Sequence, residues 1–286
     1  MQRDPSNSQP REVAVRSEND LFQVLLALKT NRRKRGELGE IFVESVAAIK
    51  LAASHDYRFL RFVYADYSGL SDWAKGLIAQ HPAAQRVSMD KALMDKISDR
   101  EEASELIVTV EKREASLVDI AVDPSAILLI LDRPSNHGNL GSILRSANAF
   151  GVRAVITTGH AVDAYDPAVI RASLGAVFST PLIHEESSQA LEEWLSALKA
   201  NCPGFTVAGT DSNSDSSLAE AGLRAPLAIM MGNEAKGLSV RLKAYVDKMV
   251  CIPMVGEVDS LNLACATSIF LHAVSTASRG DQHGSN

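Results

Sequence analysis

"NHGNLGSILRSANAFGV" runs from Asn136 to Val152, and "AILLILD", Ala126 to Asp132, stands just before it. The apolar run reads as a parallel strand covered on both faces. The stretch after it is patterned as a helix, so the pair forms a strand–loop–helix unit. Its glycines, Gly138 and Gly141, are spaced GxxG. A dinucleotide fingerprint needs GxGxxG, so that reading fails. Asn139 lies near the helix N-terminus. Arg145, one turn beyond Gly141, opposes the helix dipole unless an anion faces it.

The same rhythm continues outward. "AVITTG", "TPLI", "FTVAGT", "PLAIMMG" and "MVCIPM" read as later strands. Helices fall between them, around "PAVIRASLGA", "SSQALEEWLSALKA", "SVRLKAYV" and "SLNLACATSIFLHAVSTAS". This predicts an α/β domain with a mainly parallel sheet over residues 125–280. Upstream, "DLFQVLLALKT" has Asp20 as its N-cap candidate, and "SVAAIKLAASH" has Ser45. With strands at "IFVE", "FLRFVYA", "QRVS" and "ELIVTVE", residues 17–112 read as a small α/β sandwich. Residues 113–124, ending at Pro124, form a linker. Residues 1–16 and 281–286 are expected to be tails, the first disordered.

Composition excludes some classes. No apolar run approaches the ~20 residues that span a bilayer. The polar N-terminus lacks a signal core, which predicts a cytoplasmic protein. Cys202, Cys251 and Cys265 form no CxxC and read as buried thiols in a reducing compartment. No metal-ligand spacing occurs, so no metal is expected. A net charge of −6 argues against a generally sticky nucleic-acid binder. It leaves room for a local patch at "KTNRRKR", where Lys29, Arg32, Arg33, Lys34 and Arg35 crowd into seven residues. That run is either a solvated loop or a phosphate-contacting edge.

Two more strand–helix junctions are unusual. "MMGNEAKGLS", Met230 to Ser239, begins like a Walker A loop but has Leu238 where the lysine belongs. Gly232 and Gly237 permit close backbone approach, and Glu234 lies between them. "IPMVGEVDSLNLA", Ile252 to Ala264, places Ser260 at a natural N-cap position. Asn262 follows, and it is a poor helix former unless its amide has a partner.

Taken together, the three junctions resemble the motifs of the SpoU/TrmH branch of the SPOUT methyltransferases, which methylate ribose 2′-hydroxyls of ribosomal or transfer RNA. Asn139 and Arg145 match an Asn-x5-Arg motif, "GNEAKGLS" a Gly-x-Glu-x-x-Gly motif, and "IPM…SLN" the third. The N-terminal part resembles, less strongly, the L30e-like domain that many such enzymes carry. "NLACA" departs from the Val/Ser-rich stretch common in the third motif.

The resemblance implies a trefoil-knotted methyltransferase domain behind an L30e-like RNA-binding domain. It implies S-adenosylmethionine as cofactor, held by Gly232, Ile252 and Leu261 with Thr210 near the same pocket. Arg145, Asn139, Glu234, Ser260 and Asn262 become the catalytic set. The segment Lys29–Arg35 becomes an RNA footprint. The implied partners are RNA, ribosomal in preference to transfer, and a second copy in a homodimer. Two alternatives compete: a non-catalytic RNA-binding protein that kept the fold, and a nucleotide-dependent dehydrogenase, against which the missing GxGxxG weighs.

Overall fold

Caps and short apolar runs shape the first of two units in the computed structural model, which describes residues 12–98 and 104–280. That unit takes the chain up to Arg113 together with Tyr165–Phe178. Its elements are β1 (Glu12–Val15), α1 (Asp20–Thr30), α2 (Arg32–Leu38), β2 (Glu40–Val43), α3 (Val46–Ser54), β3 (Phe59–Tyr64), α4 (Asp72–Gln80), β4 (Gln85–Met89), α5 (Lys91–Ile97) and β5 (Ile107–Glu111). The sheet order is β1-β4-β3-β5-β2. β1, β4 and β3 run parallel, and β5 is antiparallel to both β3 and β2. Phe22, Leu25 and Leu28 of α1 pack on Phe42, Val63 and Val87 of the sheet.

Three expectations need correction here. Part of the expected N-terminal tail is strand β1, which pairs Glu12–Val15 with Arg86–Met89 and buries Val15 completely. A four-residue edge strand needs only one such anchor, because its neighbour supplies the hydrogen bonds. Residues 1–11 and 281–286 lie outside the described residues. The N-cap of α1 is Asn19, whose side chain accepts from the Phe22 N–H, and Asp20 occupies the first turn. Ser45 caps α3 as expected, through the Ala48 N–H. The basic run is not a loop: Asn31 caps α2 through the Lys34 N–H, and Gly39 ends it in the left-handed conformation.

The second unit comprises Glu114–Ala164 and the chain from Ser179 onward. β6 (Ile127–Asp132), α6 (His137–Ala149) and β7 (Ala154–Thr158) come first. α7 (Pro167–Ala172) follows in sequence but packs in the first unit, so the domain expected over 125–280 is interrupted. The ties are specific: the Asp166 carboxylate meets the Arg35 guanidinium, and the Phe178 ring stands edge-on to Tyr57 at 5.0 Å. Then come β8 (Leu182–Glu185), α8 (Ser188–Asn201), β9 (Thr206–Thr210), β10 (Leu227–Met231), α9 (Val240–Lys243), β11 (Lys248–Val250) and α10 (Leu263–Gly280).

The sheet order is β11-β9-β10-β6-β7-β8, and every neighbouring pair is parallel. All six residues of β6 and all five of β10 are buried, as a strand covered on both faces requires. Each fully buried Leu or Ile there contributes about 1.5–3 kcal/mol of transfer free energy. From β6 the chain steps outward through β7 to β8, whereas β10, β9 and β11 lie on the other side. The loops after β6 and β10 therefore open at the reversal of strand order, where α/β sheets bind ligands. α10 packs along α6: Ser146 and Ser268 share a 2.8 Å hydrogen bond, and the Phe150 and His272 rings lie 5.8 Å apart.

Candidate active site

Three loops meet at the C-terminal ends of the second sheet. They follow β6, β10 and β11, the three junctions singled out in the sequence. Together with Thr210 at the end of β9 they line a cleft of about 810 Å³. Its apolar wall includes Met231, Leu238, Ile252, Leu261 and Phe270, and its polar rim includes Ser135, Asn139, Glu234 and Asn262. The loop after β10 folds back on itself so tightly that a Cβ on Gly232 would stand 2.3 Å from the Leu238 nitrogen and the Gly237 carbonyl carbon. Only glycine fits there.

A directed chain of hydrogen bonds ties the loops together. The Asn139 amide Nδ2 donates to Glu234 Oε1 at 3.2 Å. The Asn262 Nδ2 donates to Asn139 Oδ1 at 2.9 Å. Asn262 Oδ1 in turn accepts from the Ala264 N–H at 2.9 Å, at the start of α10. The ends dictate the direction. A carboxylate only accepts and a helix N-terminus only donates, so both amides can point one way only. The other Glu234 oxygen accepts from Ser135 Oγ at 2.9 Å and the Ser135 N–H at 3.3 Å. Burial works against ionisation of Glu234, but its own backbone N–H, Asn139 and Ser135 hold its carboxyl below the ordinary carboxylate range. Glu234 is thus an ionised acceptor at neutral pH and orients amides rather than donating a proton.

Thr210, Gly232, Ile252 and Leu261 all line the cleft, as do Asn139, Glu234, Ser260 and Asn262. Two expectations shift within that set. Ser260 is exposed and does not cap α10; Asn262 does, because the helix starts at Leu263. The same bond answers why an asparagine stands there. Arg145 is exposed on α6 and is not among the lining residues. It makes no hydrogen bond or ion pair among the described residues. It lies six positions beyond Asn139, about 9 Å along a helix axis.

The basic run divides. Arg35 is 3% exposed; its Nη1 donates to the Leu28 and Lys29 carbonyls, and its Nη2 meets Asp166. It satisfies carbonyls at the end of α1 and is sequestered from any RNA phosphate. Lys29 donates to the Ser98 carbonyl at 3.2 Å. Arg32, Arg33 and Lys34 are exposed, the last two paired with Glu37. Cys265 is exposed, and Cys202 and Cys251 are half-buried, contrary to the expectation of buried thiols. Sequence reasoning missed Ser135 and Asn233, whose contacts are long-range. It also passed over Asp132, although a charge ending an apolar strand was a visible signal.

Such a site suits a ligand with a flat apolar part and polar edges. Residues 126–272 match the SpoU rRNA Methylase family, and residues 19–108 match the SpoU L30e-like domain. The chain is 34% identical over 276 residues to the 23S rRNA (uridine(2479)-2′-O)-methyltransferase of Streptomyces viridochromogenes, covering 96% of each. It is 35% identical over 171 residues to the 23S rRNA (guanosine-2′-O-)-methyltransferase RlmB of Coxiella burnetii, covering 60% of this chain and 63% of that one. Among solved structures, the SpoU methyltransferase AviRb of S. viridochromogenes in complex with AdoMet superposes with a TM-score of 0.82 at 33% identity, covering 93% of this chain and 100% of that one. An AdoMet-bound rRNA methyltransferase of Sinorhizobium meliloti gives 0.80 at 25% identity, covering 94% and 98%.

Proposed function

The chain belongs to the SpoU rRNA methylase family, and we infer that it transfers a methyl group from S-adenosylmethionine to a ribose 2′-hydroxyl of ribosomal RNA. The observation that carries this reading is the chain Glu234–Asn139–Asn262, which joins the three motif loops around one cleft. With these residues in place, the non-catalytic alternative has no support; the dehydrogenase reading falls with the family assignment.

The residues fit the cofactor. The fold-back at Gly232 leaves backbone at the cleft wall, and the apolar patch of Leu238, Ile252 and Leu261 suits an adenine face. Gly232, Ile252 and Leu261 would hold the adenosyl part, with Thr210 beside them. When bound, the cofactor supplies an electrophilic methyl on a sulfonium. The protein then has to align the ribose oxygen and stabilise the charge it develops as the hydroxyl proton passes to solvent water. Arginine stays protonated in proteins, so Arg145 anchors an RNA phosphate and stabilises the developing alkoxide; it is not a base. Glu234, Asn139 and Asn262 hold the loops in register, and Ser260 faces the nucleotide.

Four finer points belong to the same reading. Arg32, Arg33 and Lys34 form the RNA footprint on the L30e-like unit. The protein is cytoplasmic; none of its described helices is long and apolar enough to cross a membrane. The C-terminal segment is threaded as a trefoil knot. Two copies pair through the α10 side of the second unit, where Val255, Val258 and Ile269 are exposed. An obligate interface of that kind would bury about 2,000 Å² or more.

Transfer of labelled methyl to protein-free ribosomal RNA, followed by mapping of the modified nucleotide, tests the activity. Label on a ribose 2′-oxygen is expected; label on a base, or none, overturns the reading. Mixing Arg145→Ala with Glu234→Ala subunits tests the dimer. A shared site predicts that activity partly returns, and a fully active monomer would refute it.

A further inference from the structure

We infer that Asp132 is a positioning residue that clamps the cofactor loop after β10 onto the end of β6. The clamp rests on the proposed use of S-adenosylmethionine but adds a residue that none of the three motif readings includes. Asp132 ends β6 and is 3% exposed, a charge at the edge of the core. A carboxylate in such a place is costly unless its lone pairs are satisfied. Here four donors satisfy them. Arg133 Nε and Nη2 each lie at 2.9 Å, one on each oxygen. The Ser239 N–H donates at 2.7 Å and Thr158 Oγ1 at 3.1 Å.

These donors come from three different loops. Thr158 ends β7, Ser239 closes the Gly232–Leu238 segment, and Arg133 opens the loop to α6. Arg133 carries the tie further. Its Nη2 also reaches the Gly237 carbonyl at 3.3 Å, and its own carbonyl accepts from Asn233 Nδ2 at 2.8 Å. The segment that forms the cleft wall is therefore gripped at Asn233, Gly237 and Ser239, that is, on both sides of Glu234.

Backbone strain supports the assignment. Arg133 has φ +53°, a left-handed conformation that is unfavourable for a residue with a side chain. Such conformations persist where the surroundings over-determine them. Gly159 makes the space: a Cβ there would stand 2.9 Å from Arg133 Cγ. The strained turn lets one arginine fork back onto the preceding aspartate while its carbonyl faces the cofactor loop.

The clamp acts on the cofactor side of the site, so it makes a specific kinetic demand. In the full-length protein, Asp132→Asn should raise the Kd and the KM for S-adenosylmethionine by at least about tenfold. At saturating cofactor, kcat should stay within about threefold, because bound cofactor reassembles the loop. Asp132→Ala should raise both constants further, with Asn as the partial rescue. A merely structural role predicts a lower melting temperature and a reduced kcat with KM unchanged, and that result would overturn the proposal, as would a Kd equal to that of the parent. Should the Asp132 variants fail to fold, Thr158→Val decides. It removes one of the four donors and should raise the Kd about threefold; no change would refute the clamp. Failure of the parent protein to bind S-adenosylmethionine would instead refute the functional reading on which the clamp rests.

Discussion

Asn139→Asp changes one atom type and tests the direction of the amide chain. The substitution places an oxygen where Nδ2 now stands, 3.2 Å from Glu234 Oε1. It removes a hydrogen bond to a charged group, about 1.5–3 kcal/mol. It also sets two carboxylates face to face. That repulsion is about 1 kcal/mol in bulk water and about 4 at an intermediate dielectric. Glu234 is exposed, so the screened end of the range applies, roughly 1–2 kcal/mol. The sum, about 2.5–5 kcal/mol, corresponds to a loss of roughly 10²–10⁴ in methyl transfer if all of it falls on site assembly. Asn139→Ala loses the hydrogen bonds without gaining the repulsion, so it should be the milder variant. The two variants also differ in pH dependence. A like charge raises the pKa of one member of a carboxylate pair, so one proton is shared as pH falls. Single-turnover transfer by Asn139→Asp, relative to the parent, should recover as pH falls from about 6.5 toward about 4.5, approaching the alanine variant. An aspartate variant no worse than alanine at the alkaline end, with a flat pH ratio, would refute the Glu234–Asn139 orientation.

Three further outcomes are expected. Arg145→Ala should abolish methyl transfer yet leave cofactor affinity within about tenfold, ~1.4 kcal/mol by calorimetry, with Lys rescuing poorly because a point charge does not replace a planar fork. Charge reversal at Arg32, Arg33 and Lys34 should weaken RNA binding and lower its salt slope by roughly one unit per lost phosphate contact, whereas Arg35→Ala should act on thermal unfolding, by about 2–4 kcal/mol, since it uncaps α1 and strands Asp166. Burial opposes ionisation of Asp132, but Arg133, the Ser239 N–H and Thr158 hold its carboxyl low, as Asn139 and Ser135 help to do for Glu234. Folded-state values below the unfolded ones mean that this stabilisation is complete above the ordinary carboxylate range, about pH 4, and is lost as pH falls through the depressed values. Cofactor affinity titrated with pH should therefore hold from neutrality to about pH 4 and fall only below it, and loss near neutral pH would contradict it.

Periodicity and turn chemistry were enough to place most elements on the two sheets, and the motif resemblance was enough to group Asn139, Thr210, Glu234, Ser260 and Asn262, which line one cleft. Those features are local. An apolar strand such as Ile127–Asp132, or a capped helix such as Val46–Ser54, depends on neighbours a few residues away. What a polar group bonds to is not local. Asp132 and Ser239 are 107 positions apart, Asn139 and Asn262 are 123 apart, and Arg35 and Asp166 are 131 apart. Only the folded chain could show that Arg35 is a buried cap rather than an RNA contact, that Tyr165–Phe178 joins the first unit, and that Glu12–Val15 is a strand. Residue type determined which groups could donate or accept; the closure of long loops by tertiary packing decided which of them met.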